Sequence, residues 1–426
     1  MTPLRAAWLD YRDAVRRFSP PARRLLAAQF LLWSGYGVSQ VLFNLYLVEA
    51  GFGPRSVGHA ISMFGAGVAA AALPASWIAR RAGRGRTLMF GVLVDGLGQL
   101  VRCLWPAAGV VYAASMLAGA GQSLIQIPSA PFMAEHSTPR ERTHLFTTMF
   151  ALALFAGVLG SLCGGWLPRL LLACHLTAGL VGAYRASLLC GALISLSGSL
   201  VLMGLPRESG SADAGGWLAV APEVRRRLVP IGVNALLIGA GAGLVIPFMN
   251  LYFAQRFTCS SGQIGTFFSA AQILTGAASL TAPALARRFG KLRTAFWAQL
   301  MSLPFLVTLG FEHRLEVAVG AFWVRATLMQ AITPLLNTFI MEALPAETRA
   351  TATGVTSLLW NVGWALSATL AGGVIQQFGY DVPFYATASL YAAAALYFYL
   401  SFRRIPEPHA EPGPARESPG LPGDGP

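Results

Sequence analysis

Residues 79–87 read ARRAGRGRT and residues 286–294 read ARRFGKLRT, so one nine-residue string occurs twice in this chain of 426 residues. Six positions are identical, a seventh exchanges Arg for Lys, and the two copies lie 207 residues apart. The tripeptide Asn-Leu-Tyr precedes the copies at residues 44–46 and 250–252, in nearly the same register. An offset close to half the chain length indicates that the sequence is a duplicated unit.

A charged pair after each copy of the string repeats in the same register. Glu135 and Arg142 in the first half correspond to Glu342 and Arg349 in the second, and both keep the offset of 207 residues. Parallel halves of this size in an apolar chain are a known plan of secondary transporters. In that plan the substrate site lies between the halves, near the middle of the membrane.

Composition independently predicts a membrane protein. Hydrophobic residues make up 55% of the chain and charged residues only 12%, which is too little charge to cover a soluble globule of this size. A bilayer-spanning helix needs roughly 20 mainly apolar residues. The predicted fold class is an all-α membrane protein of two six-helix bundles related by an internal repeat. The twelve predicted helices lie at about 25–48, 57–79, 88–106, 109–134, 145–168, 184–204, 229–254, 264–285, 295–311, 317–341, 352–376 and 383–402.

The least apolar stretches divide the chain into five segments. We predict an amphipathic N-terminus on the cytoplasmic surface at residues 1–24, six-helix halves at 25–205 and 229–404, a cytoplasmic linker at 206–228 and a disordered cytoplasmic tail at 405–426. The N-terminus mixes aromatic residues with Arg and Asp, as helices that lie on a membrane surface do. The tail is rich in Pro, Gly and Glu, a composition that cannot build a core.

Basic residues are concentrated on one side of the predicted membrane, where 24 of the 31 Lys and Arg residues fall. Because an excess of Lys and Arg marks cytoplasmic loops, both termini are expected in the cytoplasm. A basic face against anionic membrane lipid then explains the net charge of +13, and a nucleic-acid partner is not expected. We expect a monomeric, multi-pass protein of a bacterial inner membrane.

Residues 76–84 read SWIARRAGR. This stretch resembles the loop signature of the major facilitator superfamily, Gly-x-Leu-Ala-Asp-Arg-x-Gly-Arg-Arg. The twelve predicted helices and the long middle loop are also similar to that family. Arg80 takes the place of the Asp in this signature, and Arg287 does so in the second copy. Residues 160–165, GSLCGG, are similar to the Gly-Pro-x-x-Gly-Gly motif of proton-coupled drug exporters without its Pro. The resemblance implies that helices one, four, seven and ten line a central cavity.

Polar side chains inside the predicted helices are costly in lipid, so they are candidates for contact with a substrate. They recur at helical spacing on helices one, four, seven and ten. Their amides donate and accept hydrogen bonds without a fixed charge, which suits a neutral or amphipathic small molecule. Hydrogen bonding between helices explains each amide equally well. The predicted substrate-binding residues are Gln40, Asn44, Gln122, Gln126, Asn250, Gln330 and Asn337.

Three charged residues, Asp95, Arg102 and Arg325, lie deep within apolar runs. Asp95 and Arg102 share a face of helix three but are roughly 10 Å apart along its axis, too far for a direct bond. Arg102 can extend outward to the membrane surface, whereas Asp95 must find a partner or take up a proton. Asp95 is therefore the candidate for proton coupling, with a structural hydrogen bond as the alternative. The aromatic stripe at residues 360–364 is expected to belong to the core, with a binding surface as the alternative.

The repeated charges predict two clusters at the cytoplasmic ends of the helices. We expect these clusters to form when the cavity faces outward and to break when it opens inward, as the cytoplasmic gate of an alternating-access cycle. A solvated loop in which nothing switches is the alternative, because exposed ion pairs are individually weak. The first cluster is Glu135 with Arg84, Arg86 and Arg142, and the second is Glu342 with Lys291, Arg293 and Arg349.

These features predict a secondary active transporter that moves a small organic solute by alternating access, with export coupled to protons. An uptake symporter for a sugar or similar nutrient and a membrane receptor that does not transport are the alternatives. The sequence contains no Gly-x-x-x-x-Gly-Lys-Ser/Thr string, so an ATP-driven pump is not indicated and an enzyme is not expected. The six His and five Cys residues lack metal-ligand spacing, so neither a metal nor a cofactor is expected.

Overall fold

The computed structural model describes residues 18–205, 222–345 and 348–403, which form α-helices joined by short turns and no β-strand. The helices of the first half are α1 (Pro20–Glu49), α2 (Pro54–Ala82), α3 (Arg84–Leu104), α4 (Ala108–Glu135), α5 (Pro139–Ala173) and α6 (Leu180–Leu202). The helices of the second half are α7 (Pro222–Val245), α8 (Met249–Phe257), α9 (Ser261–Ser279), α10 (Ala282–Phe289), α11 (Lys291–Phe311), α12 (Leu315–Ala331), α13 (Thr333–Glu342), α14 (Arg349–Phe378) and α15 (Asp381–Phe402). The predicted all-α fold of two six-helix bundles is confirmed.

Three crossings of the second half are each made by two helices with a short interruption. A 3-10 turn at Ile246–Phe248 joins α7 to α8, and one or two residues separate α9 from α10 and α12 from α13. Pro247, Pro283 and Pro334 lie at these interruptions. Proline has no backbone N–H, so it cannot continue the hydrogen-bond ladder of the preceding helix.

Ten helical stretches in the described residues are long and apolar enough to cross a membrane by length and composition. The remaining two predicted crossings are made by α9 with α10 and by α15. Ser, Thr and Gln side chains lower the hydropathy of α9, and several Tyr side chains lower that of α15. Hydropathy alone therefore understates the number of crossings that the duplicated pattern predicts.

Both copies of the repeated string fold into the same turn. α2 and α10 end directly before Gly83 and Gly290, whose φ angles are +87° and +85°, a region that glycine enters without strain. The hydroxyl groups of Thr87 and Thr294 donate to the carbonyl oxygens of these glycines at 2.8 and 2.7 Å. The string therefore encodes a tight reversal between two helices.

The repeated Asn-Leu-Tyr tripeptide also makes equivalent contacts in the two halves. The Tyr46 hydroxyl donates to the Cys103 carbonyl oxygen at 3.0 Å, and the Tyr252 hydroxyl donates to that of Leu309 at 2.7 Å. These bonds join α1 to α3 and α8 to α11, and both tyrosine side chains are fully buried. The duplication seen in the sequence is therefore also a duplication of tertiary structure.

The turns at Gly83 and Gly290 lie on one side of the molecule, together with Arg84, Lys291 and Arg349. We call this side the basic face and the other side the opposite face. The two halves contact each other through α2 with α14 and through α5 with α9.

Small residues bring the paired helices together on the opposite-face side. A Cβ atom added at Gly58 would lie 2.5 Å from the carbonyl oxygen of Ala368, and one at Gly265 would lie 2.4 Å from that of Ser161. The Ser261 hydroxyl donates to the Gly165 carbonyl oxygen at 2.9 Å, which ties α9 to α5. Backbones this close leave no room for a side chain, so the halves are in direct contact near the opposite face.

Three predicted segments fall wholly or mostly outside the described residues, at 1–17, 206–221 and 404–426. Within the described residues, α1 begins at Pro20, earlier than the predicted start at residue 25, and the Ser19 hydroxyl oxygen accepts from the Ala22 N–H at 3.4 Å as its cap. Helix α7 likewise begins at Pro222, inside the predicted linker.

Candidate functional site

A cavity of about 1130 Å³ lies between the two halves. Helices α1 to α5 line it on one side, and α13, α14 and the turn between α7 and α8 line it on the other. Its wall reaches Ala130 and Thr353 toward the basic face and Phe43 and Pro247 toward the opposite face. Because the contacts between the halves lie toward the opposite face, the cavity opens to the basic face.

Two repeat-related asparagines close the end of the cavity nearest the opposite face. The Asn44 side-chain amide donates to Oδ1 of Asn250 at 3.0 Å and to the Pro247 carbonyl oxygen at 2.6 Å. The Asn250 side-chain amide donates to the carbonyl oxygens of Val41 at 2.9 Å and Gln40 at 3.2 Å. Asn44 is 6% exposed and Asn250 is 1% exposed. We call these two residues the asparagine clasp.

Two charged side chains on α3 lie in the cavity wall of the first half. Asp95 is 4% exposed, and its Oδ2 accepts a hydrogen bond from the Gln99 amide at 2.7 Å. Arg102 donates from Nη2 to the Ser39 hydroxyl oxygen at 2.7 Å, and its guanidinium carbon lies 3.9 Å from the centre of the Phe43 ring. The expectation that Arg102 extends to the membrane surface is wrong, because α1 supplies both a hydrogen-bond acceptor and an aromatic face inside the protein.

Two tryptophans on α14 form the facing wall. The Trp360 and Trp364 rings are stacked with their centres 4.9 Å apart and their planes inclined by 27°. Both line the cavity, as do Asn361, Ser357 and Thr356 on the same helix. The aromatic stripe, which the sequence predicts to belong to the core, both packs against the core and lines the cavity, because α14 runs along the interface between the halves.

The structure brings five of the seven predicted substrate-binding residues to the cavity and leaves two outside its lining. Asn250 is buried in the asparagine clasp, where its amide is fully engaged with α1. Gln330 is exposed on α12 and does not line the cavity. The five that line the cavity are Gln40, Asn44, Gln122, Gln126 and Asn337.

The second, third and eleventh crossings, which are α2, α3 and α14, contribute more to the cavity than the family resemblance implies. The seventh crossing reaches the cavity through Ile246 and Pro247, in the turn between α7 and α8, whereas α3 supplies Asp95, Gln99 and Arg102. Sequence reasoning did not select Gln99 or Arg102 for this site. Their spacing of four and seven residues from Asp95 was the available signal, since it places all three on one face of a helix.

The predicted basic-face clusters are smaller than expected and each lies within one half. Glu135 pairs with Arg84, and Glu342 pairs with Lys291 at 2.5 Å. The Arg142 guanidinium donates instead to the Ala134 carbonyl oxygen at 2.9 Å.

The remaining three members of the predicted clusters also lie apart from the carboxylates. Arg349 donates to the Leu344 carbonyl oxygen at 3.3 Å. Arg86 and Arg293 are exposed and form no ion pair with a described residue. Both carboxylate pairs are intact while the cavity is open to the basic face. The expectation that they break on opening to that side is therefore wrong for these pairs, because each joins two helices of the same half.

Arg325, the third charged residue within the apolar runs, makes its hydrogen bond inside the second half. It is 5% exposed, donates from Nη2 to the Tyr391 hydroxyl oxygen at 3.1 Å and does not line the cavity. The described residues contain no group of three or more His, Cys, Asp or Glu side chains placed to hold a metal ion.

An internally duplicated helical membrane protein, with a cavity between its halves that opens to one face, has the architecture of a membrane transporter. The family model for the Major Facilitator Superfamily matches residues 25–229 and 231–423. The chain therefore belongs to the Major Facilitator Superfamily, and it is a transporter of that general kind. A relative in Escherichia coli (strain K12), the uncharacterized MFS-type transporter YdeE, is 20% identical over 181 residues, which cover 42% of this chain and 46% of the relative.

Solved transporter structures share this fold over nearly their whole length. The nucleoside transporter NupG matches with a TM-score of 0.71 and 14% identity, covering 90% of this chain and 99% of that one. The D-xylose-proton symporter matches with a TM-score of 0.68 and 15% identity, covering 89% and 97%. A bacterial homolog of the human lysosomal transporter Spinster, in an inward-facing and unoccupied conformation, matches with a TM-score of 0.70 and 15% identity, covering 90% and 96%. At these identities the likeness concerns the fold alone.

Proposed function

We propose that this protein is a proton-coupled secondary transporter that exports a small organic solute by alternating access. The observation that carries the proposal is the cavity of about 1130 Å³, which both halves line and which the asparagine clasp closes toward the opposite face. The basic face is the cytoplasmic side, because Lys and Arg accumulate in cytoplasmic loops. In this conformation the cavity is therefore open to the cytoplasm, from which an exported solute enters.

The cavity wall suits a solute that has both a flat apolar part and polar groups. Trp360 and Trp364 offer indole surface on one side, which favours stacking with a planar group. The amides of Gln40, Gln122 and Gln126 face them from the first half and can donate and accept hydrogen bonds. The solute is accordingly neutral or amphipathic and small enough for a cavity of this volume.

Asp95 is the group that we propose to carry the coupling proton. Its carboxylate accepts a hydrogen bond from the neutral Gln99 amide, while Arg102 is engaged with Ser39 and Phe43 on α1 rather than with Asp95. Tyr36 and Arg102 are the other ionisable side chains among the described residues that line this part of the cavity. Asp95 forms no ion pair with a described residue, and a carboxylate without a direct ionic partner inside a membrane protein is a suitable site for reversible protonation.

The alternating-access step is a rocking of one half against the other. For the cavity to open outward, the contacts between α2 and α14 and between α5 and α9 must separate, and the asparagine clasp must break. The pairs Arg84–Glu135 and Lys291–Glu342 each hold two helix ends of one half together. We assign them the role of keeping each half rigid on the cytoplasmic side while it moves.

The test is transport by purified protein in proteoliposomes with a pH-sensitive dye inside. A panel of amphipathic and polar solutes is applied with and without a pH gradient, and solute flux and proton flux are measured together. Counter-movement of solute and proton supports export, and co-movement supports the uptake alternative. Binding of a solute without flux of either species, in protein that is correctly folded and inserted, would point to the receptor alternative and sink the transport proposal.

A further inference from the structure

A second cavity, of about 1020 Å³, lies at the basic face of the second half, among α10, α11, α13 and α15. Its wall carries a concentration of positive charge, of which only Lys291 has a role in the proposed transport cycle. Among the described residues, the one carboxylate in the lining is Glu342, which is paired with Lys291. The basic residues of the wall are Arg287, Arg288, Lys291, Arg293 and Arg403.

The arginines of this wall have no ion-pair partner among the described residues. No described carboxylate lies within ion-pair distance of Arg287, Arg288, Arg293 or Arg403. Like charges gathered around a cavity repel each other. An anion in the cavity would relieve this repulsion, and guanidinium groups bind phosphate oxygens with paired hydrogen bonds.

The cavity lies where two crossings of the second half are interrupted, whereas their counterparts in the first half are continuous helices. The crossings formed by α9–α10 and α12–α13 are both interrupted, and Pro283 and Pro334 follow the interruptions. In the first half α2 and α4 are unbroken and in close contact. A Cβ at Gly67 would lie 2.0 Å from the Met116 carbonyl oxygen.

The surroundings of the cavity favour a lipid over a soluble anion. On α10, Leu285 and Phe289 are 43% and 52% exposed and lie one turn apart. On α11, Trp297 and Met301 follow Arg293 at spacings of four residues, on one face of the helix, and are 56% and 60% exposed. This apolar surface runs from the basic wall toward the membrane interior, where acyl chains lie. A soluble phosphate would make no use of it.

We propose that this cavity binds the headgroup of an anionic phospholipid. The phosphate contacts the arginines of the wall, and the acyl chains lie along Phe289 and Trp297. Basic pockets between helices on the cytoplasmic side of membrane proteins have the right chemistry for such headgroups. The site concerns a lipid rather than the transported solute, so it is independent of the proposed function.

The repeat supplies a matched control for the experiment. Arg80 and Arg81 are the counterparts of Arg287 and Arg288 in the first copy of the string, on the same face of the molecule. Arg287→Gln with Arg288→Gln and Arg80→Gln with Arg81→Gln therefore remove equal charge from the two halves. Phosphatidylglycerol retention by each purified protein is measured by native mass spectrometry, with phosphatidylcholine as the uncharged reference.

We expect the second-half variant to bind phosphatidylglycerol about thirtyfold more weakly than the unaltered protein, at roughly fivefold for each arginine near the membrane surface. The first-half variant is expected to keep its affinity, and phosphatidylcholine is expected to bind weakly to all proteins. Arg293→Gln, an exposed single change, should weaken binding about fivefold and serves if the double variant does not fold. Equal losses in the two halves would mean general attraction to the basic face and would overturn the site.

Inorganic phosphate distinguishes the two sources of the anion. If the site is built for a lipid, millimolar phosphate should leave phosphatidylglycerol retention unchanged, because it cannot replace the acyl-chain contacts. Phe289→Ala should weaken the binding of phosphatidylglycerol and leave any binding of phosphate unchanged. Displacement of the lipid by phosphate, with no effect of Phe289→Ala, would assign the cavity to a soluble anion instead. Transport plays no part in these measurements, so their outcome is separate from that of the flux experiment.

Discussion

Asn44 and Asn250 occupy equivalent positions of the two halves, and each donates hydrogen bonds to the other half. These bonds close the cavity toward the opposite face. Both side chains are buried. Each amide therefore loses its hydrogen bonds to water in this conformation and replaces them with bonds to the other half. The clasp stabilises the conformation in which the halves touch on this side.

Asn250→Ala should shift the protein toward the conformation that is open to the opposite face. The change removes the donor to Val41 and Gln40 and the acceptor for Asn44, at a cost of about 1–3 kcal/mol to the closed state, or roughly 5- to 150-fold in the equilibrium. Spin labels at Arg55 and Gln377, which are exposed on α2 and α14, should report a larger population of long distances.

Asn234→Ala is the matched control for the clasp. Asn234 is also a buried asparagine, but it lies on α7 and its Oδ1 has no hydrogen-bond partner among the described residues. The control should leave the label distances unchanged. Equal distance distributions in Asn250→Ala and the unaltered protein would show that the clasp does not contribute to closure.

The fold could be predicted from the sequence because its determinants are local. Runs of about twenty apolar residues predict crossings one at a time, and the string at 79–87 predicts its own turn through Gly83. The cavity depends on contacts between elements about 200 residues apart. Asn44 and Asn250 stand out in the sequence as polar residues that are costly in lipid. The hydrogen bonds between them form only when the two halves pack together, which the sequence does not show. The aromatic stripe that contains Trp360 does not by itself reveal which face of its helix meets the other half.

Trp360→Ala should weaken solute binding by roughly two- to tenfold, because an aromatic contact contributes about 0.5–1.5 kcal/mol beyond the area it buries. The effect is expected mainly in KM, measured as initial flux against solute concentration. Trp105→Ala serves as the control, since Trp105 is 58% exposed at the end of α3 and does not line the cavity. If both changes alter KM equally, the indole wall does not contact the solute.

The basic-face pairs should matter more for transport than for stability. Glu135→Gln and Glu342→Gln each remove one partner of a partly exposed ion pair, which is worth about 0.2–1 kcal/mol, so thermal unfolding should shift little while flux falls. Exchanging the charges, with Lys291→Glu and Glu342→Lys together, should restore part of the flux. Normal flux in both single variants would remove these pairs from the transport cycle.

Reporter fusions test the assignment of the basic face to the cytoplasm. Fusions after Arg86, Arg142, Arg293 and Arg349 should report the cytoplasm, and fusions after Gly53 and His313 should report the outside. This follows from the accumulation of arginine on one side of the twelve crossings. A single reporter on the wrong side would contradict the twelve-crossing topology, and reversal of all of them would invert the membrane orientation.

Asp95→Asn tests the coupling proposal directly. The amide keeps the shape of the carboxylate and can still bond to Gln99, but it cannot take up a proton. Flux driven by a pH gradient should therefore be lost, while solute exchange without a gradient should remain largely intact, because exchange needs the moving cavity but no net proton step. Asp381→Asn is the control, since Asp381 pairs with Arg256 at the opposite face and does not line the cavity. Full gradient-driven flux in Asp95→Asn would make the carboxylate structural, and coupling would then have to be sought at Glu135 or Glu342.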